Sequence, residues 1–222
     1  MPAKKIKTKR KNQRQVLNIL RNLIIDGFYP PSYKLVEEDL VKEYGVSRSM
    51  LREIFVNLEI QGLIRKQPNK GAIVREINLK FLLEIMDIRE VLEGLAVRLA
   101  TKNTSPEDWS DLEEEVNKSW DEIVRNSEFE RHLKLSRKFR SRIFDAARNE
   151  ELSNLSDTLI ARIMLVQRRT AILPGRIKQS AQEQRAVLRA IIEGNPSKAE
   201  RLKRLNLRNA KACLNKYKNW IV

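Results

Sequence analysis

Apolar residues recur at helical spacing through nearly every long segment of this 222-residue chain, and one stretch breaks the pattern: "LIRKQPNKGAIVRE", residues 63–76. There two short runs, LIRKQ and AIVRE, flank PNKG, which reads as a hairpin with Pro and Gly in its loop. One hairpin among many helices leaves no room for an extended sheet, so the chain should be mostly α. Upstream, Val16, Leu17, Leu20, Leu23 and Ile24 set an amphipathic helix over residues 12–27 that ends near Gly27. "YPPSYKL" then reads as a turn, and a short helix over about 36–44 is closed by Gly45. Ser47 is a good N-cap for the next helix. In that helix Leu51, Ile54, Phe55 and Leu58 fall at i, i+3, i+4 and i+7 and give one face to a core. At about 100° per residue the opposite face presents Arg48, Ser49, Arg52 and Val56. Three helices followed by a hairpin describe a winged helix-turn-helix over residues 12–77.

After Asn78 every long segment has helical periodicity. Ser105 stands at an N-cap, Pro106 at the first helical position and Asp108 where a capping-box acid belongs; Asn195 and Pro196 repeat the cap and the proline start. The spacing predicts six helices, over about 79–102, 106–126, 128–148, 150–171, 176–194 and 196–218, packed as an all-α six-helix bundle over residues 78–222. Two domains suit the length, and only 7 Gly and 7 Pro argue against long flexible spacers. Residues 1–11 form a separate basic arm.

The formal net charge is +15, and it is unevenly spread: residues 1–77 carry +8 and the longer remainder +7. That bias favours a polyanionic partner, nucleic acid before an anionic membrane. Cys213 is the only cysteine, so no intrachain disulfide can form and a reducing, cytoplasmic setting follows. Asn18, Arg21, Asn22 and Asp26 interrupt the first apolar segment, so it is neither a signal peptide nor a membrane span. No Gly-rich phosphate loop, Ser/His/Asp set or Cys/His cluster suggests an enzyme or a bound cofactor. Glu113, Glu114 and Glu115 are consecutive, fan around a helix and read as a solvated face.

A recognition helix needs donors near its N-terminus that can reach base edges while its other face stays packed. Arg48 and Arg52 are one turn apart, and arginine is the side chain best matched to guanine in the major groove. The stretch "LVEEDLVKEYGVSRSMLREIFVNLEIQGLIRKQPNKGAIV" resembles the DNA-binding domain of the GntR family of bacterial transcription regulators, through its GVSR, its LRE, its L-E-x-x-GLI and its NKGAIV wing. Pro31, Met50 and the pair Ile54 and Phe55 depart from the family pattern at turn and core positions. The resemblance implies a double-stranded DNA operator as partner. It maps Lys34, Arg48, Arg52, Lys70 and Gly71 onto DNA-contacting positions, and Ser47 and Ser49 complete the set at the same helix end. Glycine at 71 would let the backbone come close to DNA.

The segments "IMDIREVLEGLAVRLA", "FRSRIFDAARNEEL" and "QEQRAVLRAIIEGNPSKAERL" are similar to the FadR-type (FCD) effector domain that many of these regulators carry. In most of that subfamily one aspartate and three histidines hold a divalent metal. Their positions here are Ser136, Arg140, Gln184 and Asn206, and the chain has a single histidine, His132. Serine and amides are weak ligands and a guanidinium is a cation, so no metal is expected.

Helical geometry then separates the basic residues of "LKLSRKFRSRIF". With Leu135 at 0°, Phe139, Ile143 and Ala147 fall at about 40° to 120° and Phe144 near 180°; Ser136 near 100° and Arg140 near 140° lie inside this apolar arc, whereas Lys134, Arg137, Lys138 and Arg142 lie at about 200° to 340°. Arg140 therefore turns inward, where an unpaired charge would cost several kcal/mol. One reading gives it a small carboxylate or phosphate effector, with Arg89, which resembles a cavity-facing position, as a second anchor beside Ser136, Gln184 and Asn206. The other pairs it with an internal acid such as Asp87 or Glu93, in a domain that binds nothing.

The sequence thus points to a sequence-specific regulator of the repressor kind. The alternative is a non-specific nucleic-acid-binding or nucleoid-structuring protein, suggested by the overall charge. The resemblance also implies a homodimer, with exposed apolar surface among 79–102 and 150–171 as its interface.

Overall fold

The computed structural model describes residues 12–67 and 71–220, so the basic arm and Lys70 lie outside the described residues. The chain divides into two units, Met1–Glu76 and Ile77–Val222.

In the first unit, α1 (Gln13–Ile25) opens where the Asn12 side chain accepts from the Gln15 amide and the Gln15 side chain accepts from the Asn12 amide. This reciprocal cap satisfies two donors that a first helical turn leaves open. Helix α2 (Glu37–Tyr44) stops at Gly45, which adopts the left-handed conformation that a side chain would resist. Helix α3 (Arg48–Ile60) begins where Ser47 Oγ accepts from the Met50 amide at 3.2 Å. Its Leu51, Ile54, Phe55 and Leu58 are buried together with Val16 and Leu20 of α1. Each such burial removes a side chain from water at about 1.5–3 kcal/mol, which fixes the face that remains outward.

The hairpin forms from β2 (Ile64–Gln67) and β3 (Gly71–Val74), antiparallel, with Ile64 opposite Val74. A third strand, β1 (Lys34–Leu35), pairs with the other edge of β3, so the order is β1-β3-β2. The segment YPPSYKL is thus a turn that ends in a strand, Lys34 facing Ile73 and Leu35 facing Ala72. Two residues are too few to display a strand's alternation; what recruits them is the burial of Leu35 and Ala72 against each other's strand.

The second unit is helical throughout its described residues: α4 (Leu79–Asn103), α5 (Ser110–Asn126), α6 (Phe129–Ala147), α7 (Glu150–Thr158), α8 (Ile160–Ala171), α9 (Arg176–Ile192) and α10 (Pro196–Lys216). Helix α4 packs against α6 and α10, and Trp109, Trp120 and Phe139 are among the fully buried side chains of the core. The span read as one helix over 106–126 begins with a tighter 3-10 turn, Pro106–Trp109, in which the buried Trp109 donates to Thr104 Oγ1 at 2.9 Å. The span over 150–171 is interrupted at Leu159. Its residues Ser153, Asn154, Ser156, Asp157 and Thr158 all compete for backbone hydrogen bonds. Thr158 Oγ1 donates to the Leu155 carbonyl, and the Leu159 amide reaches the Ser156 carbonyl, one residue short of the α pattern. No helix among the described residues is long and apolar enough to cross a membrane.

Candidate functional site

In the first unit Lys34, Glu37, Glu38, Arg48, Arg52 and Gly71 line one open concavity, so the strand edge and the start of α3 share a face. Arg48, Ser49 and Arg52 are all exposed on the side of α3 opposite its buried leucines. Ser47 and Ser49 share a hydrogen bond between their hydroxyls at 3.0 Å while Ser47 caps the helix. Arg52 Nε donates to the Glu37 carboxylate at 3.2 Å. The pairing orients the guanidinium and leaves its side chain 66% exposed. Glu37 had no role in the sequence reading, because an acid on a DNA-facing surface is repulsive unless an arginine neutralises it.

Gly71 has φ of 83°, and a Cβ there would run into the backbone carbonyl oxygen of Leu35. Its glycine is therefore required inside the protein, by the packing of β3 against β1. The expectation that it serves approach to DNA is unnecessary to explain it.

In the second unit, Arg89 on α4, Ser136 and Arg140 on α6, Gln184 on α9 and Asn206 on α10 all line one cavity of about 50 Å³. Residues outside the sequence reading join them, among them Arg176, Ser180 and Lys203, and His132 also reaches the wall. Lys203 sits four residues from Ala199 and from Leu207, both buried, so the angular test that turned Arg140 inward would have turned Lys203 inward too.

Behind the wall Glu93 collects three cations. Arg89 Nε lies 2.8 Å from its Oε1, Lys203 Nζ 2.8 Å from its Oε2, and Arg140 Nε 3.5 Å from its Oε1. Burial alone would raise the Glu93 carboxyl, but Arg89, Lys203 and Arg140 together hold it well below the usual carboxylate range. Burial pulls Lys203 down, and Glu93 offsets part of that. Of the two acids open to Arg140, Glu93 is the one it meets; Asp87 instead pairs with Lys211. Arg140 also donates through Nη2 to Ser156 Oγ and stacks over the Phe144 ring at 4.7 Å, while its Nε makes no hydrogen bond.

A second acid, Glu183, accepts from Arg176 Nη1 at 2.8 Å and from the side-chain amides of Asn206 and Asn209, each at 2.6 Å. Gln184 Nε2 donates to Ser136 Oγ at 3.0 Å and to Ser180 Oγ at 2.8 Å. The residues do not fit a divalent metal: a guanidinium occupies one of the four positions, and no group of three His, Cys, Asp or Glu side chains able to hold one occurs among the described residues.

His132 is buried, its Nδ1 has no hydrogen-bond partner, and burial, aided by Arg176, pushes its pKa down to about 4. The unfolded imidazole takes a proton near pH 6.5, so between about 6.5 and 4 the unfolded chain binds more protons than the folded one. Stability is therefore full above about pH 6.5 and falls on acidification, by roughly 2 kcal/mol at pH 5. Denaturant unfolding of wild type and His132→Gln at pH 7 and pH 5 checks this; equal acid losses in the two proteins would remove His132 as the cause.

An arginine-bearing helix beside a small wing, followed by a helical domain around a polar cavity, is the two-domain arrangement of a winged helix-turn-helix DNA-binding protein. Residues 12–74 match the family described as "Bacterial regulatory proteins, gntR family", and residues 84–209 match the FCD domain. The chain belongs to the gntR regulators that carry an FCD domain. It is similar to the uncharacterized HTH-type transcriptional regulator YdhC of Bacillus subtilis, 32% identical over 64% of this chain and 63% of that protein. It is also similar to the HTH-type transcriptional regulator McbR of Escherichia coli, 28% identical over 67% of each. The match thus spans somewhat less than two thirds of the length of YdhC. The solved structure of E. coli McbR/YncC shares the fold, with a TM-score of 0.76 over 92% of this chain and 97% of that one, at 23% identity.

Proposed function

We propose that this chain is a sequence-specific, operator-binding transcription regulator, acting as a repressor on cytoplasmic DNA, whose helical domain answers to a small carboxylate or phosphate effector. The observation that carries it is the division of α3 into two faces: Leu51, Ile54, Phe55 and Leu58 are buried, and Arg48 and Arg52 stand exposed beside Lys34 on the wing edge. That arrangement delivers guanidinium forks to base edges while the helix stays anchored. Lys70, which precedes Gly71 in the sequence, is a further DNA contact in this reading, as are Ser47 and Ser49.

A two-fold operator implies a homodimer. Ile88 and Val91 on α4 and Leu155 on α7 are large apolar side chains left exposed, which suits a contact between copies in the helical domain. The chemistry needed is recognition rather than turnover, so no catalytic role is assigned.

Operator and random duplexes of equal length, competed at the same salt, test the proposal. A regulator should prefer its operator by at least roughly a thousandfold. Equal competition by random DNA would favour the non-specific, nucleoid-structuring alternative, because phosphate contacts alone cannot tell sequences apart.

A further inference from the structure

We propose that the cavity of the helical domain receives a dianionic phosphate group, either free or as the end of a small monoester, held by Arg140 and Lys203 with Arg89 and Arg176. This rests on the effector reading above and narrows it to one chemistry.

Charge is the first argument. The cavity wall carries four cations and no carboxylate. The acids that neutralise them, Glu93 and Glu183, sit behind that wall, and four cations against two carboxylates leave two positive charges over. Exposed Asp157 also acts on Arg140, but from the solvent side, where water screens it. Buried cations that share one carboxylate are costly to keep, and an anion entering the cavity would be their missing counter-charge. A phosphate monoester carries −1.5 to −2 at pH 7, close to the excess that the wall presents.

Size is the second argument. A cavity needs roughly 10–15 Å³ of such space per water, so about 50 Å³ holds only a few water-sized groups. One tetrahedral oxyanion is of that order; a branched tricarboxylate is not. Direction is the third. The cations come from four helices, α4, α6, α9 and α10, and hydroxyls of Ser136 and Ser180 add donors between them. Donors converging from several sides suit three terminal phosphate oxygens better than the two coplanar oxygens of a carboxylate. Arg140, whose side chain is nine-tenths buried, meets Glu93 through an Nε 3.5 Å away that closes no hydrogen bond, so that ion pair is a loose one. Of the four positions that resemble the family's metal ligands only Arg140 is charged, and together with Arg89, Arg176 and Lys203 it gives the cavity protein cations where a metal would have been the ligand's anchor.

The test uses the full chain in chloride buffer at constant ionic strength, titrated calorimetrically with inorganic phosphate, glycerol phosphate, malonate and acetate. Saturable binding of phosphate or glycerol phosphate at one per chain, at least tenfold tighter than malonate or acetate, is expected. Arg140→Met and Lys203→Met should each weaken it tenfold or more, and Arg140→Lys, which keeps the charge and loses the fork, should weaken it less than Arg140→Met. Should Arg140→Met fail to unfold cooperatively, Arg140→Lys and Ser136→Ala carry the comparison. Glycerol phosphate binding tenfold tighter than inorganic phosphate would identify a monoester as the source; equal affinity would identify free phosphate. If malonate or acetate binds more tightly than phosphate and depends on Arg140, the phosphate assignment falls and the anionic-effector reading stands. If none of the four binds, both fall.

Discussion

Replacing Glu93 with glutamine is expected to lower the stability of the helical unit by about 3–5 kcal/mol, the usual loss when one partner of a buried ion pair is removed. Glutamine keeps the size of the side chain and an acceptor oxygen, so the change isolates charge. Without the carboxylate, Arg89, Lys203 and Arg140 would stand together against the middle of α4 with no anion among them. Attraction that held Glu93 far below its ordinary range becomes repulsion among three cations. Thermal unfolding should shift down by roughly 10 °C for a unit of this size. A variant that melts within about 2 °C of wild type, a loss near the 1 kcal/mol of an exposed pair, would show that water already screens these cations. Phosphate added to Glu93→Gln should recover more stability than it adds to wild type, because a ligand of the folded state stabilises by mass action.

The same cluster shows what was legible in the sequence and what was not. Arg140 could be turned inward from angular position alone, because Leu135 at 0° and Phe144 near 180° bound an apolar arc that contains it. Lys203 obeyed the same geometry on α10, but a lysine among Lys198, Arg201, Arg204 and Arg208 reads as part of a solvated face until its helix is packed. Between Asp87 and Glu93 the choice was also latent: Glu93 lies four residues beyond Arg89 and shares its side of the helix, whereas Asp87, two residues before, faces away. Other features had no local signal. The two-residue strand at Lys34 and Leu35 exists only because β3 offers an edge, and the break at Leu159 depends on hydroxyl groups winning hydrogen bonds that a periodicity count does not weigh. Gly71 was singled out by resemblance as a DNA position, yet its need for glycine arises from the Leu35 carbonyl.

Alanine at Arg52 is expected to cost operator binding about 1–3 kcal/mol, roughly tenfold to a hundredfold, with a much smaller loss on random DNA. Alanine at Arg48, one turn earlier, should cost a similar amount at a different base pair, and the double variant should bring operator and random duplexes close together in affinity. Both side chains leave α3 on the face opposite its buried leucines, and Glu37 already takes the Nε hydrogen of Arg52, which leaves the terminal N–H groups to form a fork on guanine. Lys34 makes the contrast, since a lysine on the wing edge meets phosphate as a point charge. Its alanine variant should weaken both duplexes alike and reduce the salt slope by about one unit. Binding of each variant to both duplexes across a salt series separates the two classes of contact. Were Arg52→Ala to weaken operator and random DNA equally, Arg52 would belong with Lys34 as a phosphate contact, and the reading of bases would have to come from another part of the wing or of α3.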